Sequence, residues 1–248
     1  KRQGTNRKID LIAGHLQQAD AHDAAWTVLL LMGERRKRLI TGRRLREILQ
    51  QASAMPDWLF DDCQSHVGDS AETLSLLWPQ LKIDIGGGIH NPGVTTWVNQ
   101  LSDSPPMHWW MEQLLPAVAA MEAEEQSNTV LAIWESLPND RLFLFNKLLT
   151  GGFRIGVARG LVVKAIATGF NLEEALVLER LMAPADASER WFRGLTAVAS
   201  EERGNRGPVP YPFFLASPLK PETIEDTAPS DWWVEHKWDG IRGQLIQR

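Results

Sequence analysis

The chain has 248 residues, 44% of them hydrophobic and 23% charged, proportions that suit a globular protein able to bury one large core or two ordinary ones. A single cysteine, Cys63, excludes an internal disulfide framework and a cysteine–zinc cluster, and no apolar run reaches the length of a membrane span. The net charge of −5 argues weakly against a nucleic-acid partner, but the charge is segregated. Arg35 to Arg46 holds seven Arg or Lys and no acid, Leu101 to Asp140 seven acids and no Arg or Lys, and Lys147 to Lys164 is positive again. Such blocks suit either a bound face with a solvated back or separate exposed helix faces. Without a signal-peptide pattern a cytoplasmic location is expected, and a start at Lys1 rather than methionine points to residues ahead of it.

Residues 8–200 read mostly as helix. Asp23 to Met32 is too apolar all round for a surface helix. The basic run Arg35, Arg36, Lys37, Arg38, Arg43 and Arg44 leads into a helix over Leu45 to Ala52. That run either lies along a phosphate backbone, displacing counterions, or forms a solvated loop. Ser70 is the expected N-cap of the next helix, with Leu74, Leu77 and Trp78 on one face. Pro105 and Pro106 suit a first helical turn, and Pro116 should interrupt the helix they begin. Ser127 or Asn128, then Asn139, are expected caps of two further helices. Gly151-Gly152 ends the second of these, a helix runs from about Ala158 to Thr168 closed by Gly169, and Asn171 with Glu174 resembles a capping box for Leu172 to Met182. A last helix is expected over Ala187 to Ser200. Most of the eleven tryptophans lie at helical spacing among apolar neighbours, which favours core packing over base stacking, and the six histidines lack ligand spacing, so no metal is assigned to them.

The junction Thr150-Gly151-Gly152-Phe153-Arg154-Ile155-Gly156, with Arg159 beyond it, combines glycines that admit close backbone approach with long cationic donors near a helix start. Such contacts position a protein on phosphates without reading sequence. A glycine-capped helix junction with solvent-facing arginines is the plainer alternative.

Helix breakers and charges from Glu201 to Pro212 mark a linker, and the domains are set at 1–203, 204–218 and 219–248. The last opens with β-favouring residues around Asp239-Gly240, from Trp233 to Ile246, a hairpin or strand–turn–strand pattern. Within it, Glu235-His236-Lys237-Trp238-Asp239-Gly240-Ile241-Arg242 sets a lysine, a nucleophile once neutral, beside a turn glycine and an arginine that can fork onto phosphate oxygens. A surface hairpin with an ordinary Asp-Gly turn would carry the same letters.

The octet matches the pattern Glu-x-Lys-x-Asp-Gly-x-Arg and resembles the nucleotide-binding signature of covalent nucleotidyltransferases, which include DNA ligases, RNA ligases and capping enzymes. Lys147 to Val157 is similar to a stretch of the helical DNA-binding domain of ATP-dependent DNA ligases, with Phe153 where that family commonly has leucine. Leu161 to Ala167 looks like the family's next helix, and Pro212 to Pro218 resembles the connection into its adenylation domain. The front half, including Gly33 to Leu39, looks closest to bacterial ligases of this type.

The resemblance implies a mainly α fold: a compact multi-helix DNA-binding domain followed by the first strands of an α+β adenylation domain. It implies Lys237 as the residue that takes AMP from ATP, Glu235, His236 and Arg242 at the nucleotide, and magnesium as companion of the phosphates. It also implies DNA contact by the basic run and by Thr150, Gly151, Gly152, Arg154, Gly156 and Arg159, with nicked double-stranded DNA as partner, no membrane and a monomeric protein. The family's later motifs and its oligonucleotide-binding-fold domain do not appear before Arg248, so this stretch is expected to bind DNA without sealing nicks by itself. The alternatives are an RNA ligase or other covalent nucleotidyltransferase, a non-catalytic helical DNA-binding module, and a helical protein-interaction domain.

Overall fold

The computed structural model describes residues 2–33, 38–81, 92–102, 104–151, 157–198, 228–236, 240 and 243–245. Among the described residues thirteen α-helices follow one another: α1 (Arg2–Gln18), α2 (Ala21–Leu31), α3 (Gly42–Ser53), α4 (Asp57–Val67), α5 (Ser70–Leu77), α6 (Pro92–Ser102), α7 (Met107–Trp109), α8 (Leu115–Ala120), α9 (Ala123–Ser136), α10 (Asn139–Thr150), α11 (Arg159–Phe170), α12 (Glu174–Arg180) and α13 (Glu189–Thr196). Among the described residues there is no strand, and no helix there is long and apolar enough to cross a membrane.

Their apolar stripes meet in two cores. One gathers Ile40, just ahead of α3, with Leu45, Ile48, Leu49, Phe60, Leu74, Trp134, Phe145 and Leu149 from α3, α4, α5, α9 and α10. The other joins Leu16 of α1, Val162, Val163 and Ile166 of α11, Val177 of α12, and Phe192 and Leu195 of α13. Helix α2 serves both: Trp26 enters the first core, while Ala24, Ala25 and Val28 enter the second. That division explains why its sequence is apolar all round. Helices α1 and α11 pack closely where Gly169 faces Ala13; a Cβ on Gly169 would lie 3.3 Å from the Ala13 Cβ.

A buried polar chain crosses the first core. Trp134 Nε1 donates to Asn146 Oδ1 at 2.8 Å, Asn146 Nδ2 donates to Ser75 Oγ at 3.2 Å, and Ser75 Oγ donates to the Ala71 carbonyl at 2.7 Å. Helices α9, α10 and α5 are thereby held in one register, because a buried donor left unpaired costs more than a satisfied one contributes.

Several caps differ from the sequence expectation. Asp69, not Ser70, caps α5, its carboxylate accepting from the Glu72 amide at 2.9 Å. Helix α9 starts at Ala123, a turn before Ser127 and Asn128, with Glu124 and Glu125 in its first turn, where acids suit the positive end of the helix dipole. Asn139 is the first residue of α10 behind Pro138 rather than its side-chain cap. Gly169 lies inside α11, and Asn171 ends that helix in the left-handed conformation (φ 52°) instead of opening a capping box for the next. Helix α13 is shorter than Ala187 to Ser200, because Ser188 caps it through the Trp191 amide. Gly151 does end α10, at φ 67°. Pro116 acts one turn ahead of itself: Trp110–Leu114 winds as a π-turn between α7 and α8, which accommodates the missing proline N–H. Residues 232–236 and 243–245 lie in no strand.

Candidate functional site

Helix α10 ends with carbonyls that have no donor inside the helix. The Leu149 carbonyl takes two from outside it, the amides of Leu39 and Ile40, each at 3.0 Å. Ile40 is buried in the first core, so the chain leaving the basic run is stitched to the end of α10 beside Thr150 and Gly151. Two positive stretches more than a hundred residues apart in sequence thus share one edge.

On that edge Arg38 is exposed immediately before the tie. Arg43 is 88% exposed and pairs with the solvent-washed Glu47 at 3.2 Å, a contact easily traded for another anion. Thr150 Oγ1 donates back to the Asn146 carbonyl at 2.9 Å. Arg159 opens α11 and is exposed, with one N–H at 3.3 Å from the Leu181 carbonyl. Arg35, Arg36, Lys37, Gly152, Arg154 and Gly156 lie outside the described residues.

Other cations of the same stretches turn inward. Arg44 donates to Gln126 Oε1 (3.0 Å), the Ala123 carbonyl (2.5 Å) and Ser127 Oγ (2.8 Å), bracing α3 against the first turn of α9. Three of its five N–H groups are committed to this contact. Arg46 binds Asp57 at 2.9 Å and Asp61 at 2.5 Å, with its guanidinium 4.7 Å from the Phe60 ring centre. Lys147 pairs with Asp69. Burial pushes the Asp69 carboxyl up, but the Lys147 ammonium and the helix amides it accepts from outweigh that and hold it below the ordinary carboxylate value. The acids that neutralise Arg46 and Lys147 lie outside the basic runs, so charge blocks alone could not separate free cations from paired ones.

A second polar cluster fixes α2 against the π-turn segment. Imidazoles of His22 and His108 stack with centres 4.5 Å apart and planes 4° from parallel. Glu112 accepts from His22 Nε2 (2.7 Å) and Trp26 Nε1 (2.8 Å). Asp23 accepts from both the backbone N–H (2.9 Å) and the ring Nδ1 (2.7 Å) of His108. Since Pro106 at the head of α7 offers no side-chain cap, α7 takes its cap from α2. For both carboxylates, burial raises the pKa and hydrogen bonding more than offsets it, so each lies below its ordinary value. Nothing in the spacing of these residues, up to 90 positions apart, marks the cluster in the sequence.

Glu235 and His236 are exposed, as are Trp233 and Val234 at 90% and 91%. Lys237 and Arg242 lie outside the described residues. Among the described residues no group of three or more His, Cys, Asp or Glu could hold a metal ion.

A family model described as "DNA ligase N terminus" matches residues 1–167, a span that covers α1 through α10 and most of α11. The comparison with curated proteins returns no match.

Proposed function

The chain belongs to the DNA ligase N-terminal family, and from that premise we propose that its helices hold nicked double-stranded DNA for an ATP-dependent ligase of bacterial type. The observation that carries this reading is the double hydrogen bond to the Leu149 carbonyl, which brings the basic run and the glycine end of α10 to one edge. Arg38 and Arg43 on one side, with Thr150 and Gly151 on the other, supply cations and backbone suited to phosphate contacts, and Arg159 at the start of α11 adds a further exposed cation. Arg35, Arg36, Lys37, Gly152, Arg154 and Gly156 are neighbours of these residues in sequence, and this reading gives them phosphate contacts as well. Contacts of this kind ignore base identity, which suits an enzyme that must accept a nick anywhere.

The chemistry belongs to the octet around Lys237. The neutral lysine amine attacks the α-phosphate of ATP, forming a phosphoramide bond to AMP and expelling pyrophosphate. AMP then passes to the 5′-phosphate at the nick, and the 3′-hydroxyl displaces it as the phosphodiester forms. Glu235 recognises the base, His236 adjoins the nucleotide and Arg242 holds phosphate oxygens. Magnesium accompanies ATP in this reading; the described residues offer no cluster of ligands for it, and no step is assigned to it.

Two measurements test the proposal. Nicked duplex should bind with affinity that falls steeply as salt rises; an absence of binding even at low ionic strength would overturn the DNA half. Intact mass of the ligase containing this chain should rise by one AMP with ATP and magnesium, and should not rise in Lys237→Ala. An adduct that persists in that variant would overturn the assignment of the nucleophile.

A further inference from the structure

Helix α10 presents Arg141, Leu144, Phe145 and Leu148 along one stripe, at the three- and four-residue spacing that aligns side chains on a helix face. Facing it, the segment from Ser104 to Trp110 supplies a second wall, and the two enclose a cleft of about 290 Å³. Two backbone features shape that wall. Ser104 stands in the left-handed region (φ 51°) ahead of consecutive prolines, and the π-turn beginning at Trp110 re-aims that ring. The cleft is therefore preformed in the fold.

Its lining is apolar except at the ends. Leu144, midway along, is 45% exposed, an unusual position for leucine beside an open hollow. Arg141 is the one charged residue of the lining and is exposed, and among the described residues it has neither an ion pair nor a hydrogen bond. It is also the first Arg or Lys after Leu101 to Asp140, a stretch with seven acids. A carboxylate set beside an apolar group would find a single cationic foothold there. Arg141 and Leu148 are seven residues apart, about 10 Å along the helix.

We propose that this cleft docks a segment of a partner protein that carries a bulky apolar side chain and, about 10 Å along it, a carboxylate that pairs with Arg141. The apolar group enters between Trp110, Leu144 and Leu148, and the carboxylate sets direction and register. The proposal does not depend on the assignment of DNA to the end of α10.

The test uses the full chain and a fluorescein-labelled helical peptide of alanine and glutamine with one Trp and one Asp seven positions apart. A twin carrying Asn for Asp is the control, and a third arm uses 2-naphthylacetate. Fluorescence anisotropy should show saturable binding of the Asp peptide, about three- to fivefold tighter than the twin, as a partly exposed ion pair allows. Arg141→Gln should erase that preference, and Leu144→Asp should abolish binding of both peptides, with helical circular dichroism retained in each variant. Equal affinity for the two peptides would overturn the proposal, as would indifference to Leu144→Asp. Arg141-dependent binding of 2-naphthylacetate without peptide binding would also overturn it, making the cleft a small-molecule site.

Discussion

The amide of Ile40 donates to the carbonyl of Leu149 across 3.0 Å, and this bond fixes where the basic run meets the end of α10. Exposed cations beside the tie should then act differently from cations that brace the fold. Arg38→Ala and Arg43→Ala are each expected to weaken binding to nicked duplex whatever its sequence, lowering the slope of log affinity against log salt by about 1. Helical content should be unchanged. Arg44→Ala, which strips α9 of three hydrogen bonds, should instead lower unfolding free energy by about 1–3 kcal/mol. Anisotropy against salt and urea unfolding separate the two classes; an equal loss of stability in all three variants would remove the distinction.

Asn146 is fully buried between Trp134 and Ser75. Asn146→Leu keeps most of the volume but leaves the Trp134 N–H without its acceptor. A loss of about 1–3 kcal/mol is expected, the desolvation cost of one buried unpaired group. Asn146→Leu with Trp134→Phe, which removes the stranded donor, should recover part of it in a double-mutant cycle. No recovery would mean that volume, not pairing, governs the site.

Acid should loosen α2 from the π-turn. Asp23 and Glu112 have folded pKa values below their ordinary 3.8 and 4.5, so the unfolded chain binds protons first as pH falls. The stability they contribute is complete above the ordinary carboxylate range and is lost as pH falls through the depressed folded values. Urea midpoints measured from about pH 6 to pH 2 should decline along this limb, and more shallowly in Asp23→Asn and Glu112→Gln. Parallel curves for wild type and variants would assign the acid limb to other carboxylates, Asp69 foremost, which also lies below its ordinary value.

Helicity and the identity of the core were legible in the sequence because both follow from local spacing. The stop at Gly151 needed one residue of the right kind. Caps were less legible where neighbours competed: Asp69 and Ser70 are adjacent and both can cap, and the carboxylate that also pairs with Lys147 holds the position. Asn171 fits either end of a helix, and α11 runs far enough to claim it. The candidate site was legible as charge but not as arrangement. Arg43 and Arg44 look alike in sequence, and their fates part because Gln126, Ala123 and Ser127 come within reach of one of them. The tie at Leu149 is made by backbone atoms, which every residue carries, so no side-chain pattern announces it.

The packing of α1 on α11 has a consequence for synthesis. Gln17 Nε2 reaches the Gly169 carbonyl at 2.6 Å, 152 residues further along the chain. At common elongation rates that carbonyl leaves the peptidyl-transferase centre on the order of ten seconds after Gln17 does. Helix α1 is made well before its partner α11 and is secured late, so a released chain truncated before residue 159 should leave α1 open to protease while α3 to α5 and α9 to α10 already resist it. A helix made well before its partner thus finds its place only when that partner arrives.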